Sequence, residues 1–177
     1  MKNETIKIFS GEHRWLSNFA PVNIQIGKCT FRSVEHAYQS EKSNEKEWKI
    51  CCLSIERPGD IKKMSRKIKL SSDWEERKVT VMKACLEQKY NQEPFKSLLI
   101  KTAPKIIQEG NYWHDTFWGV DLKTGKGRNV LGKLIMQIRY KLLQKIEQRC
   151  GRNVCFWFGT IKENCCLQCD FYIRRKL

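Results

Sequence analysis

From Asn129 to about Arg149 the apolar residues Leu131, Leu134, Ile135, Ile138, Leu142 and Ile146 recur every three or four positions. That spacing follows the 3.6-residue period of an amphipathic helix, whose apolar stripe must be covered by a core. Asn129 stands where an N-cap belongs. The same period recurs upstream. Trp74, Val81, Met82, Cys85, Leu86 and Lys89 lie near one face of a helix expected to run to Tyr90, and Ser72 with Glu75 reads as a capping box at its start. Trp48, Cys51, Cys52 and Ile55 mark a shorter helix, Pro58 begins another at its first turn, and residues 93–100 suggest one more.

Strand signals are confined to short segments. Ile6 and Ile8 alternate with polar residues, residues 22–32 read as a hairpin around Gly27, and residues 106–109 suit a brief strand. Ser33 then suits the N-cap of a helix over about 34–43. The expected fold class is α+β, mainly α-helical, with a small N-terminal β portion. The chain has 177 residues, 41% of them apolar, which suits one domain with a real core. We expect that domain over residues 1–149, followed by a Cys-rich basic extension over 150–177.

The net charge of +15 favours anionic ligands, because a surplus of that size concentrates phosphates near the surface. Much of it clusters at Lys62, Lys63, Arg66, Lys67 and Lys69, in 123–128 and in 139–149. A solvated surface that merely maintains solubility is the plain alternative. No apolar run approaches the length of a membrane span, and the opening MKNETIKIF resembles no secretory signal. We therefore expect a cytoplasmic protein with no membrane partner, and no disulfides among its nine cysteines. Cys85, on a helix's apolar face, reads as a small buried hydrophobe. Cys150, Cys155, Cys165, Cys166 and Cys169 could share a zinc ion, but no His accompanies them and their spacing is loose, so an idiosyncratic tail is the competing reading.

Two strings carry chemistry. In FRSVEHAYQSEK (31–42), Glu35, Gln39 and Lys42 fall at i, i+4 and i+7 of the expected helix and share a face. Glu35 and Lys42 would be roughly 10 Å apart along its axis, a spacing that could flank a sugar ring. The same pattern also describes an exposed polar stripe, with Glu35 favoured at the positive helix end. In NYWHDTFWGVDLKTGKGRNVLG (111–132), Asp115 precedes Trp118-Gly119, and a glycine-bearing basic loop leads into the last helix. Glycines let backbone approach a ligand and a helix N-terminus attracts anions. Lys126 and Arg128 add charge, and Trp118 could stack on a base. An ordinary surface loop with a buried Trp is the alternative. RWLSNFAP (14–21) suits a turn anchored by Leu16 and Phe19, with Ser17 and Asn18 facing outward.

In order, LSNF, VEHAYQSEK, PGDIKKMSR, a Trp opening a long amphipathic helix that ends QKYNQ, LLIKTAP with IIQEG, FWG after an Asp, and GRNVLGKLIMQIR resemble the NADAR superfamily, also called YbiA-like, over residues 6–143. The resemblance implies a compact, mainly helical fold and enzymes that cleave N-glycosidic bonds without a metal or organic cofactor. It implies two substrate classes: ribosylamino-pyrimidine phosphates related to riboflavin synthesis, and ADP-ribose attached to guanine in nucleic acid. It places Glu35, Lys42 and Asp115 as catalytic residues, with Trp74 and Trp118 as aromatic positions of the site. Asn18, His36, Gln39, Arg66, Gly119, Gly127 and Asn129 match positions lining the substrate pocket. Two departures bear on substrate preference: Ser65 stands where relatives usually carry Gly before the arginine, and Val120-Asp121 follows Trp118-Gly119.

The chemistry fits these residues. Breaking a ribosyl C–N bond builds positive charge at the anomeric carbon, which a carboxylate such as Glu35 can stabilise, or Glu35 can act as acid and base. Lys42 suits attack on the opened sugar to form a Schiff base, although an ordinary lysine is only about 0.04% neutral at pH 7. Its pKa would have to be lowered by burial or by the basic cluster. Asp115 could orient a ribose hydroxyl or serve as a second acid–base group. Arg66, Lys126 and Arg128, with the helix start at Asn129, could hold phosphate. The expected partner is a phosphorylated ribose or ADP-ribose substrate, with ADP-ribosylated nucleic acid as one carrier. Two rivals are a non-catalytic ADP-ribose or NAD-binding module, which would not need both Glu35 and Lys42, and a general nucleic-acid binder. The latter would interleave aromatics with the basic cluster, and Lys62–Lys69 contains none.

Overall fold

A computed structural model describes residues 4–150, with side chains to 146. The chain falls into two units, 1–139 and 140–177, and the architecture and site described below belong to the first. The cysteines proposed as zinc ligands lie in or beyond the last helical turn, outside the described side chains.

The fold is α+β and mainly helical. After β1 (Thr5–Ile6) and a 3-10 helix (Gly11–Leu16), the hairpin β2 (Pro21–Ile26) and β3 (Cys29–Ser33) leads directly into α1 (Val34–Ser40). Then come α2 (Lys46–Ser54), α3 (Pro58–Met64), α4 (Trp74–Tyr90) and α5 (Phe95–Lys101). Three two-residue strands, β4 (Ile106–Ile107), β5 (Gly110–Asn111) and β6 (Val120–Asp121), precede α6 (Val130–Cys150). β1 pairs in parallel with β4, β2 antiparallel with β3, and β5 in parallel with β6.

α1 is the centre of this unit. All seven of its residues are buried, and it packs against α2, α3, α4, β2 and β3. A helix of seven residues is unstable alone, so its neighbours hold it in place. Ser33 caps it as expected, its Oγ accepting the His36 N–H at 3.2 Å. The helix ends at Ser40, however, short of the expected residue 43, and Lys42 lies in the turn beyond.

The hairpin, the helix opened by Pro58 and the helix ending at Tyr90 stand where the sequence puts them. The α4 face carries Trp74, Met82, Cys85, Leu86 and Lys89 inward. Ser72 is not its cap: Asp73 occupies that position, and no side chain caps the helix. Cys85 is 1% exposed, and burial pushes its thiol up to about 12, so it stays protonated and packs as a hydrophobe. Asn129 is no ordinary N-cap either. Its φ is +50°, in the left-handed region that Asn tolerates better than most residues. Among the described residues no helix is long and apolar enough to cross a membrane.

Candidate active site

Glu35 occupies the first turn of α1, and its backbone N–H donates to the carbonyl of Asn18 at 3.0 Å. One bond thus fastens the loop after the 3-10 helix to the start of α1. The carboxyl is 4% exposed, which removes the exposed-stripe reading. Its Oε1 accepts the Gln39 amide at 2.7 Å. Burial raises its pKa above the ordinary carboxylate value, against the pull of Lys62, the Gln39 hydrogen bond and Lys42.

Three buried acceptors belong to this neighbourhood and have no hydrogen-bond partner: Asn18 Oδ1, Gln39 Oε1 and Glu109 Oε2. An unsatisfied buried acceptor costs about 1–3 kcal/mol, and a ligand bearing hydroxyls would recover that cost. Asn18 otherwise uses its side chain to donate to Met82 Sδ at 3.4 Å.

Lys42 comes to the same site although it has left the helix. Its N–H still bonds to the Gln39 carbonyl at 3.2 Å, and its carbonyl accepts the Ser71 N–H at 2.8 Å. The ammonium donates to Ser65 Oγ at 3.4 Å and stands 5.7 Å from the centre of the Tyr38 ring. Burial lowers its pKa. Glu35 opposes that shift, while Lys62 and Arg66 add to it. The lowering that a nucleophilic lysine needs therefore has a structural cause.

Asp115 shapes the loop that carries Trp118. Its Oδ1 accepts the N–H groups of Phe117 at 3.1 Å and Trp118 at 2.9 Å. Asn111 grips its backbone from both sides, at 2.8 and 3.0 Å. One carboxylate oxygen is thus committed to the turn. Trp118 meets Tyr38 edge-on at 5.7 Å and Phe117 at 5.0 Å.

Five residues expected in the pocket make contacts within the frame. His36 uses both ring nitrogens, Nδ1 with Ser33 Oγ at 2.7 Å and Nε2 with the Ile55 carbonyl at 3.0 Å. Trp74 is 3% exposed, held between the Tyr38 ring and the Arg77 guanidinium. At Gly119 a Cβ would lie 2.2 Å from the Glu109 carbonyl, and at Gly127 it would lie 2.2 Å from the Gly119 carbonyl. Both glycines permit backbone crossings. Asn129 stitches these strands together: Oδ1 accepts the Glu109 N–H at 3.0 Å and Nδ2 donates to the Ile107 carbonyl at 2.9 Å. Arg66, Lys126 and Arg128 are exposed. Arg128 lies 4.8 Å over the Phe117 ring and lines a surface depression of about 480 Å³ with Lys83 and Lys133.

Four further residues join the site without a sequence signal pointing to them there. Lys62 stands in the basic cluster that reads as surface, yet its charge is the strongest acting on both Glu35 and Glu109. Glu109 follows a brief strand. Burial pushes it up to about 7, Lys62 and Lys89 opposing and Asp115 and Glu35 reinforcing the shift. Tyr38 is the ring on which Trp74, Trp118 and Lys42 converge. Lys89 is wholly buried and donates to the carbonyls of Leu16 at 3.2 Å and Ser17 at 2.7 Å. It thereby holds the loop that presents Asn18, and burial lowers it to about 7 against the pull of Glu109.

Comparison with known proteins places this arrangement in context. The NADAR domain profile matches residues 7–143. The chain is 32% identical over 136 residues to the N-glycosidase YbiA of Escherichia coli, covering 75% of this chain and 84% of that protein. It is 31% identical over 133 residues to a riboflavin biosynthesis protein of Vibrio vulnificus, covering 73% of this chain but only 36% of that one. The NMR structure of E. coli YbiA superposes with a TM-score of 0.73 at 29% identity, covering 82% of this chain and 88% of that one.

Proposed function

Because the chain belongs to the NADAR domain family, we propose that it is an N-glycosidase, hydrolysing the bond between a base or amine and a phosphorylated ribose. The observation that carries this reading is the buried Glu35 carboxyl, hydrogen-bonded by Gln39 and acted on by the ammonium groups of Lys42 and Lys62. That is a proton donor and a candidate amine nucleophile within electrostatic reach of each other. The pairing also speaks against a non-catalytic ADP-ribose or NAD-binding module, which would need neither.

The chemistry balances as follows for a base joined through an amino nitrogen. Glu35, kept protonated above the usual carboxylate range, gives its proton to the ring oxygen. The C1′–O4′ bond breaks and the nitrogen lone pair forms an iminium with C1′. The neutral amine of Lys42 adds to C1′. The proton it sheds goes to the leaving nitrogen, the C1′–N bond breaks, and the lysine is left joined to C1′ as an imine. Water then hydrolyses that imine, releasing the sugar phosphate and restoring Lys42. The unpartnered oxygens of Asn18, Gln39 and Glu109 would accept ribose hydroxyls.

Of the two substrate classes, an ADP-ribosylated base in nucleic acid is favoured by the net charge of +15. A ribosylamino-pyrimidine phosphate is the second reading, favoured by the name of the V. vulnificus relative. The test is to incubate the protein separately with guanine-ADP-ribosylated DNA and with riboflavin-pathway ribosylamine phosphates, following base release by chromatography. Release from the DNA selects the first class and release from the small phosphates the second. Release from neither overturns the glycosidase reading. Borohydride added during turnover should fix sugar mass on the Lys42 peptide, and Lys42→Arg should abolish both trapping and turnover, because guanidinium stays protonated. An active Lys42→Arg enzyme would sink the imine route alone.

A further inference from the structure

Two large aromatic side chains stand in solvent at this site on separate loops. Phe19 is 41% exposed and Trp113 is 63% exposed, so both ring faces are open to a ligand. Both rings face one ammonium: Lys62 Nζ lies 5.8 Å from the centre of Phe19 and 6.0 Å from the centre of Trp113. The two centres are therefore at most about 12 Å apart. Offset-stacked rings sit about 4.5–7 Å apart between centres, so a ring held between two others needs outer centres at least about 9 Å apart, a separation that the bound of about 12 Å admits.

The location is as telling as the spacing. Phe19 directly follows Asn18, whose carbonyl holds the Glu35 N–H. Its own N–H is fixed to Ser17 Oγ at 3.1 Å. Trp113 lies two residues before Asp115, the residue that shapes the Trp118 turn. Lys62, whose Nζ lies within about 6 Å of both ring centres, is the cation whose charge acts most strongly on Glu35 and Glu109. Trp118, the expected stacking platform, already meets Tyr38 and Phe117 edge-on.

We infer that Phe19 and Trp113 are the clamp for the planar heterocyclic base that leaves, with the Lys62 ammonium beside both rings. This rests on the glycosidase reading for the direction of the reaction but not for the binding itself. Stacking a base between aromatic side chains is sequence-tolerant and strong. The clamp therefore selects a planar heteroaromatic leaving group, purine or pyrimidine, over an aliphatic amine.

The test uses the full chain and two probes, guanosine 5′-monophosphate and ribose 5-phosphate, titrated calorimetrically. In the wild type the nucleotide should bind more tightly than the bare sugar phosphate. Phe19→Ala with Trp113→Ala should weaken the nucleotide by about tenfold or more and leave ribose 5-phosphate within about twofold. Trp113→Phe should retain most of the nucleotide's advantage, which separates a lost ring from a damaged fold. Three results would overturn the clamp: an unchanged nucleotide affinity in the double variant, an equal loss of both probes, or a wild type that binds the nucleotide no better than the sugar phosphate. Base release is measured separately. Ring-dependent binding without turnover would refute the glycosidase and keep the clamp. Turnover with an unaltered KM in the double variant would do the reverse.

Discussion

Lys62 acts on both groups the chemistry needs, so its removal gives a signed prediction. Its charge lowers the pKa of Glu35 and also lowers that of Lys42. The reaction needs one of these groups protonated and the other neutral, which gives a bell-shaped pH profile whichever group titrates first. Lys62→Met raises both pKa values, so the whole bell should move to higher pH. A bell that narrows, or shifts on one side only, would show that Lys62 faces just one of the pair. Glu35→Gln should lower turnover by about 100-fold or more and leave Tm nearly unchanged, since the amide can keep the Gln39 contact. Lys89 offers a stability measurement. Its pKa is depressed to about 7 in the folded chain, so the unfolded chain binds the extra proton between pH 7 and the ordinary lysine value of about 10.4. Stability from this group is therefore present above that window and lost as pH falls towards 7. Thermal melts of Lys89→Met should show a smaller rise in Tm from pH 7 to 10 than the wild type.

At the scale of elements, much of the frame was readable and the corrections have physical causes. The hairpin, the Ser33 cap, the Pro58 start and the apolar face of α4 follow from local rules, and each stands where those rules put it. The end of α1 does not follow from them. Nothing in Ser40-Glu41-Lys42 stops a helix, and the chain instead turns to put the Lys42 carbonyl on the Ser71 N–H, a partner almost thirty residues away. Gly119, Gly127 and Asn129 were visible as special positions, but glycine freedom reads alike for a ligand's approach and for a backbone crossing. The backbone crossings at Gly119 and Gly127 become visible only in the folded chain. Glu109 and Lys89 are site residues because of what covers them, which a charge on a short strand or a helix face does not reveal. Asn129 tests the stitch. Asn129→Ala loses two side-chain hydrogen bonds and leaves a less tolerant residue at positive φ, at a cost of about 3 kcal/mol. Tm should fall by on the order of 10 °C. A fall of a degree or two would mean the strands hold without it.

For the molecule as a whole, the question is what a net charge of +15 does at a site whose chemistry is built from buried groups. The buried groups set the rate once substrate is bound, and the exposed ones govern how often an anion arrives. Arg66, Lys126 and Arg128 are all exposed, so none can hold a phosphate with the strength of a desolvated pair. Their contribution is long-ranged and open to screening by salt, with a Debye length near 8 Å at physiological ionic strength. The Arg66 charge acts on Lys42, and Arg128 lies over Phe117, next to Trp118, so on the glycosidase reading both stand where they can draw a phosphate towards the candidate site. The expectation is a kcat/KM that falls steeply as salt rises from about 50 to 200 mM, with kcat nearly flat. Arg66→Gln, Lys126→Gln and Arg128→Gln should each raise KM and make that slope shallower, and the triple variant should come close to removing it. Steady-state kinetics across a salt series decides the matter. A KM that stays put in all three variants would assign these residues to solubility alone, while a kcat that falls with them would move at least one into contact with the transition state.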